Sequence, residues 1–456
     1  MSFSTLSFIY IFLPISSLIF YVVNKFFKTK VNLYLLVVSI VFYLWNDLKV
    51  GVYFVIACSI VYLLGTLISE HKNKKSLFVC VLFLVLILLI YKYLDIGVRI
   101  INKVLSKELD VLYLSMPLGL SFAIFESISY LVDLYNGEKN GNYIDVMLFL
   151  MFFPKITQGP IVTWNKFSLL LDKRESSLDK TVAGIERIII GLAKKVVIAD
   201  VLGTLVYSIV TSYMNVDSIT LIGAALCYMI EIYFDFSGYS DMAIGISKIF
   251  GFDFDENFNY PYLSKSIGEF WNRWHISLGN FFKHYIYIPL GGNKKHVYLN
   301  LFIVFFISGI WHGNGVGYVI WGIIMGLCVC LERYIRNFKT YQNTPKIIKW
   351  LVTMLIVYFS WIIFMTPSFS VALNYIKLMF SNISSDAVPF TYQYYFDKRI
   401  VSTLCVGTFF SLFNIRIENE LLKYLLLIAL FIISIIYMVN SSYSPFLYFR
   451  FWYEKD

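Results

Sequence analysis

Charge is scarce in this chain. Asp, Glu, Lys and Arg make up 15% of its 456 residues, against roughly 25% in an ordinary soluble domain. Hydrophobic residues fill 59% of it and the mean hydropathy is +0.70, which excludes a water-soluble globular enzyme and implies an all-α polytopic membrane protein. Basic residues are missing ahead of the first apolar segment (residues 8–23), whereas Lys25, Lys28 and Lys30 follow it. That order is the reverse of a signal peptide, so the segment reads as an uncleaved span with the N-terminus outside. Cysteine is limited to six residues, all in or beside apolar segments, and Cys328 and Cys330 point different ways on a helix. Structural thiols are expected, with neither a disulfide nor a metal clip. Histidines at the i, i+4 spacing of helical metal ligands are absent, as are a Gly-x-Ser-x-Gly elbow, an internal repeat and a soluble domain. The net charge of +9 gathers in short loops beside apolar spans, which speaks for the positive-inside bias and against nucleic-acid binding.

What the chain has is long apolar runs. They cover residues 4–23, 31–45, 50–69, 77–94, 111–134, 143–163, 183–211, 218–250, 297–331, 347–366, 398–413 and 421–439. The expectation is one membrane domain over residues 1–456, built from about eleven to thirteen helical pieces. Basic clusters at residues 25–30 and 72–75 flank a nearly neutral loop at 46–49, placing the first and third loops in the cytoplasm.

His312 lies in the apolar run Phe302-Ile-Val-Phe-Phe-Ile-Ser-Gly-Ile-Trp-His-Gly-Asn-Gly-Val-Gly-Tyr-Val-Ile-Trp321. A polar ring at membrane depth is costly unless it pairs, lines a water-filled cavity or does chemistry. Gly309, Gly313, Gly315 and Gly317 crowd it and favour a break in the helix. Basic residues stand on both flanks: Lys294, Lys295 and His296 before, Arg333, Arg336 and Lys339 after. Two half-helices meeting at the glycines, with His312 at the turn, would put both flanks on the cytoplasmic side; one long tilted helix is the alternative.

Between Ser264 and Tyr285 the pattern predicts one amphipathic helix at the membrane interface. Its apolar stripe is Ile267, Phe270, Trp271, Trp274, Leu278, Phe281, Phe282 and Tyr285, and His275 sits at the border, facing protein. The densest polar cluster in apolar surroundings is Tyr233-Phe-Asp-Phe-Ser-Gly-Tyr-Ser-Asp-Met242. Asp235, Ser237 and Asp241 there either line the site, one carboxylate orienting an imidazole, or lock helices together by pairing with Arg273 or Lys248; the structural pairing is preferred. Lys283, Lys294 and Lys295 beside the Ile288-Pro-Leu-Gly-Gly-Asn293 turn are either donor-phosphate contacts or topology determinants. Phe153-Pro154 and Gln158-Gly159-Pro160 break another apolar segment, as irregular backbone lining a cavity does.

Taken together, Tyr233-Phe-Asp-Phe-Ser-Gly-Tyr-Ser-Asp-Met-Ala-Ile-Gly, Asn257-Phe-Asn-Tyr-Pro-Tyr, Glu269-Phe-Trp-Asn-Arg-Trp-His-Ile-Ser-Leu, Tyr287-Ile-Pro-Leu-Gly-Gly-Asn and Trp311-His-Gly resemble the membrane-bound O-acyltransferase family, most of all its bacterial alginate O-acetyltransferase branch. Pro117-Leu-Gly-Leu-Ser-Phe, Ile128-Ser-Tyr-Leu-Val-Asp-Leu-Tyr, Gly159-Pro-Ile-Val and Ser444-Pro-Phe-Leu-Tyr-Phe-Arg extend the resemblance along nearly the whole chain. It implies a ring of membrane helices around a thinned centre with a tunnel, plus interfacial and half-inserted helices, in a bacterial cell membrane. It implies a catalytic His312 and a second functional histidine at His275; Trp274, Trp311 and Asn314 are further candidates for the tunnel lining, and Arg273 joins the lysines as a candidate donor contact. It further implies acetyl-CoA as donor substrate and a separate extracytoplasmic acetyltransferase that completes transfer to a polysaccharide; no bound cofactor or metal is expected. Cousins that export D-alanyl groups use an acyl carrier protein. The chain departs from the branch at Lys283-His284-Tyr285, where Arg-Asp-Tyr is common, and at Thr163, where a basic residue is common.

Burial disfavours imidazolium and keeps His312 neutral, suited to take the proton of an acceptor hydroxyl as it attacks the acyl carbon; a transient acyl-histidine is the competing route. His275 steadies the thioester carbonyl or the leaving thiol, or only holds its helix. A different class, an ion-coupled secondary transporter using Asp235 and Asp241, also fits glycine-broken helices with buried carboxylates.

Overall fold

The structure, a computed structural model, describes residues 2–106, 108–110, 114, 117, 119–156, 158–313, 315–381, 383 and 388–440. Asn314, Leu118 of the Pro117 run and the motif at 444–450 lie outside the described residues. Among the described residues the fold is all-helical, without strands; one isolated bridge joins Val216 and Phe390.

Among the described residues eight helices are long and apolar enough to cross a membrane: Phe8–Phe26, Lys28–Asn46, Leu48–His71, Lys74–Leu105, Ser218–Ile249, Val316–Ile335, Lys346–Met365 and Glu420–Asn440. Apolar side chains that a soluble protein would hide stand outward here. Only 6% of the apolar window of Glu420–Asn440 is covered by protein, against 67% of that of Ser218–Ile249. The first is therefore a lipid-facing helix and the second a core helix.

The eleven to thirteen helical pieces read from hydropathy become twenty α-helices among the described residues, because polar turns and glycines cut several apolar runs. The run at 111–134 overlaps the helix Leu120–Tyr135, which begins nine residues into it and ends one residue past it. The run at 183–211 divides into Leu178–Ala193 and Asp200–Thr211 around a π-turn at Lys194–Ala199. The helix Tyr143–Met151 gives way to irregular backbone as expected, but that backbone is packed rather than cavity-lining. Phe152, Phe153, Lys155 and Gln158 are at most 1% exposed, and Lys155 pairs with the equally buried Glu126.

The helices gather into two compact units, one comprising Met1–Ile188 with Ser240–Asp255, the other Ile189–Tyr239 with Glu256–Asp456. In the first, phenylalanines dominate the core: Phe12 and Phe42 pack on Phe153 with centroids 5.4 and 5.3 Å apart. Here Asp241 accepts from Arg187 Nε and Nη2 at 3.0 and 2.8 Å. In the second, Lys195 donates to Asp235 and Asp200, each at 2.7 Å. The cationic partners are thus Arg187 and Lys195, not Arg273 or Lys248; Arg273 pairs with Glu269 at 2.8 Å and Lys248 with Asp253 at 3.4 Å.

Backbone proximity explains the choice. A Cβ on Gly184 would lie 2.6 Å from the Gly245 carbonyl oxygen, and one on Gly238 would lie 2.7 Å from that of Gly191. Arg187 and Asp241 sit about one helical turn from the first contact, Lys195 and Asp235 about one turn from the second. Small residues let the helices touch, and the charges one turn away have each other within reach.

The second unit also holds an antiparallel helical hairpin, Val297–His312 and Val316–Ile335. At its open end Cys330 Sγ meets the Tyr298 carbonyl at 3.3 Å and Arg333 Nη2 donates to Asn293 Oδ1 at 3.2 Å. The two basic flanks therefore lie together, and His312 ends the first arm at the turn, as in the half-helix reading and not the single tilted helix. The arms are unequal: 16 residues and 20, the second long enough to span alone.

Candidate active site

The predicted amphipathic helix is two helices. Ile267–Arg273 ends at Trp274, and Ile276–Phe282 begins after His275, whose φ of 46° is left-handed. The segment at 257–259 takes the backbone partners freed by the break: Asn259 N–H donates to the Arg273 carbonyl and Ile276 N–H to the Asn257 carbonyl, both at 2.9 Å. Ser266 caps the first helix by accepting from Glu269 N–H at 3.0 Å, while Glu269 reaches back to accept from Lys265 N–H at 2.9 Å, one residue before the cap. Despite the break, the apolar stripe is buried as read, with Trp271 and Tyr285 half-buried.

The break puts His275 inside the protein. Its Nδ1 lies 3.2 Å from Asn257 Oδ1, Phe236 stands edge-on at 4.6 Å between centroids, and burial pushes the imidazole down from 6.5 to about 3. His275 lies outside the spanning helices and is neutral throughout the physiological range. The His312 ring is half-buried, edge-on to Trp321 at 5.4 Å and to Phe364 at 5.2 Å. Trp311 connects the two imidazoles, its centroid 4.8 Å from His312 and 6.4 Å from His275. Behind them Trp271, Trp274, Trp321, Trp361, Phe270 and Phe364 interlock at 4.8–5.6 Å, fixing the walls.

A cavity of about 650 Å³ opens onto both histidines. Leu301, Val304, Phe305, Ser308 and His312 line one side, a single face of the first hairpin arm. At 1.5 Å per residue that face runs roughly 16 Å. Away from His312 the lining becomes charged, with Lys283, Arg333 and Arg336 beside Glu332 and Asn293. Glu332 holds this end together, accepting from Ile267 and Gly268 N–H and from Arg336 Nη2 at 2.7 Å. An anion bound there would meet Lys283, Arg333 and an Arg336 shared with Glu332, while a thin arm reaching inward would meet carbon and indole.

His275, His312, Trp274 and Lys283 of the expected site residues line this cavity, and Trp311 sits between the imidazoles. Ser237 is buried in the helix core, and Arg273, Lys294 and Lys295 stand outside the lining. The expected Asp235 and Asp241 are engaged with Lys195 and Arg187. Arg333 and Arg336 were legible only as topology signals; their place at the cavity follows from the hairpin, which returns the second flank beside the first. Asn257, which holds the second imidazole, carried no sequence signal beyond its motif. Among the described residues no group of three His, Cys, Asp or Glu is placed to hold a metal ion.

Residues 137–375 match the model of MBOAT, the membrane-bound O-acyltransferase family. The chain is 32% identical over 490 aligned positions to a protein named probable alginate O-acetylase AlgI from Pseudomonas putida, covering 99% of this chain and 100% of the relative. This chain is a membrane-bound O-acyltransferase. The peptidoglycan O-acetyltransferase of Helicobacter pylori is 31% identical to it over 98% of this chain and 97% of its own length. The teichoic acid D-alanyltransferase of Bacillus subtilis is 31% identical over 50% of this chain and 62% of its own length. The protein is thus a multi-pass membrane enzyme of the acyltransferase class, with bacterial relatives, and the transporter reading of its buried carboxylates is set aside.

Proposed function

We propose that this acyltransferase moves an acetyl group from a cytoplasmic thioester, acetyl-CoA, toward a hydroxyl acceptor outside the cell membrane, for O-acetylation of a polysaccharide. The observation that carries this is the cavity with two imidazoles at one end and Lys283, Arg333 and Arg336 at the other. Cations grip the phosphates of the donor, and the apolar face along the hairpin accepts its pantetheine arm and leads the thioester to His312. On this reading residues 1–456 work as one domain, the helices form the ring around a thinned centre, and the basic end of the hairpin is cytoplasmic with the N-terminus outside. Lys294 and Lys295 serve topology rather than the donor. A separate extracytoplasmic acetyltransferase passes the group to the polymer.

His312 takes the proton of the attacking hydroxyl as the new C–O bond forms; the C–S bond breaks, and the proton returns to the thiolate that leaves. Purified protein in lipid vesicles, given labelled acetyl-CoA, should consume the donor and release free thiol. His312→Ala should abolish this while the protein still inserts and elutes as a folded species. Undiminished transfer by that variant refutes the assignment. Consumption of a carrier-bound thioester but not of acetyl-CoA would replace the donor in this reading with the D-alanyl type.

A further inference from the structure

We propose that Asn257 is a positioning residue that fixes the tautomer of His275, with the proton on Nδ1 and the lone pair on Nε2. Asn257 is 1% exposed, and its side-chain oxygen receives the Ser277 backbone N–H at 3.1 Å and the Ser277 hydroxyl at 2.9 Å. A backbone N–H only donates, so the atom it meets is the carbonyl oxygen of the amide, not its nitrogen. The same oxygen lies 3.2 Å from His275 Nδ1. Without a hydrogen on Nδ1, two lone pairs would face each other. A neutral imidazole carries one N–H, so the proton on Nδ1 leaves Nε2 as an acceptor.

The backbone holds this geometry from both sides of the left-handed residue, through the Asn259 to Arg273 and Ile276 to Asn257 hydrogen bonds at 2.9 Å. Asn257 stands outside the cavity lining and His275 within it, so the amide grips the ring from behind. Desolvation keeps the ring neutral across the working pH range, so the hydrogen bond to Asn257 sets its tautomer.

The consequence bears on the chemistry and rests on the reading of the cavity as the acyl-transfer centre. Any group that meets Nε2 must donate a hydrogen to it. His275 therefore does not stabilise the oxyanion formed on the thioester carbonyl, which needs a donor. It receives the O–H of a second hydroxyl on the acceptor and so aims the attacking oxygen, whose own single proton goes to His312.

The test uses the full-length protein in lipid, labelled with 15N-histidine, with the His275 signals assigned by their loss in His275→Gln. The wild type should show a neutral ring protonated at Nδ1. Asn257→Leu should shift the ring toward the Nε2–H form and lower kcat about 100-fold, the scale of a misplaced acceptor oxygen, while KM for acetyl-CoA stays within about threefold. Asn257→Asp keeps an acceptor at Nδ1. It should restore kcat to within about tenfold of wild type and move the acid limb of the kcat profile to higher pH, because a carboxylate raises the imidazole pKa. An Nε2–H ring in the wild type overturns the proposal whether or not any variant folds. So does an Asn257→Leu protein with unchanged tautomer and kcat, or an Asp variant as impaired as Leu. If wild-type protein transfers no acyl group, the acyl-transfer reading fails by itself, and the wild-type spectrum still decides the role of Asn257.

Discussion

Gly309 and Gly322 touch across the hairpin. A Cβ on Gly309 would stand 2.5 Å from the Tyr318 carbonyl oxygen and 3.0 Å from Gly322 Cα; one on Gly322 would stand 2.5 Å from the Phe305 carbonyl oxygen. Such contacts are with backbone, which cannot swing aside as a side-chain tip can. The approach sets the spacing of the two arms three residues before His312 and thereby the position of its imidazole against Trp321 and Phe364.

Gly309→Val should therefore push the arms apart. Overpacking of this kind costs about 1–3 kcal/mol, so the detergent-solubilised protein should melt several degrees lower and lose most of its acetyl transfer. Gly315→Ala is the control. Its nearest atom outside its neighbours is 3.7 Å away, and both melting temperature and rate should be close to wild type.

The cationic end of the cavity should affect donor binding rather than chemistry. Arg333→Gln removes a guanidinium held by Asn293. A charge-assisted hydrogen bond to the donor is worth about 1.5–3 kcal/mol, so its removal should raise KM for acetyl-CoA roughly tenfold or more. Lys294→Gln and Lys295→Gln, outside the lining, should leave KM unchanged in the same steady-state assay.

The pair of Arg187 and Asp241 should prove structural. Asp241→Asn leaves a partly buried guanidinium with a weaker partner and should lower the unfolding temperature. Arg187→Met combined with Asp241→Leu should recover part of the stability, because neither charge is then left over. Calorimetry of the single and double variants measures the coupling, and activity per folded molecule should change little.

Acid should weaken the fold through His275. Its folded pKa of about 3 lies below the 6.5 of the unfolded chain, so above pH 6.5 both states are neutral and stability is unaffected. Below pH 6.5 the unfolded chain takes up a proton that the folded one refuses. The site's contribution to stability then falls by about 1.4 kcal/mol per pH unit until the folded value is reached. The slope of melting temperature against pH between 6 and 4 should be shallower in His275→Gln than in wild type.

Much of the site was legible because some signals are local. His312 stands out where a polar ring interrupts an apolar run, and the basic flanks of that run fit a reversal at the glycines as well as one long tilted helix, a choice the hairpin decides. The stripe from Ile267 to Tyr285 shows its buried face by spacing alone. Its break at His275 was not legible, since the stripe keeps helical period straight through it. What stops the helix is a set of hydrogen bonds to residues 257–259, a competition with another piece of chain. The carboxylates of the Asp235 cluster announced a need for cations without naming them. Lys195 and Arg187 were chosen by glycine contacts 40 or more residues away in sequence.

Composition and pattern by themselves determined that this is a helical membrane protein, that it resembles the O-acyltransferases, and that His312 is a polar ring set into an apolar run. These follow from hydropathy, spacing and residue type, which each stretch of chain carries on its own. Tertiary structure alone decided that His275 sits in a left-handed break gripped by Asn257, that Arg333 and Arg336 join Lys283 at the cavity, and which cation meets which carboxylate. Those outcomes depend on which helix faces approach within a few ångströms, and that is a property of pairs of segments rather than of any one.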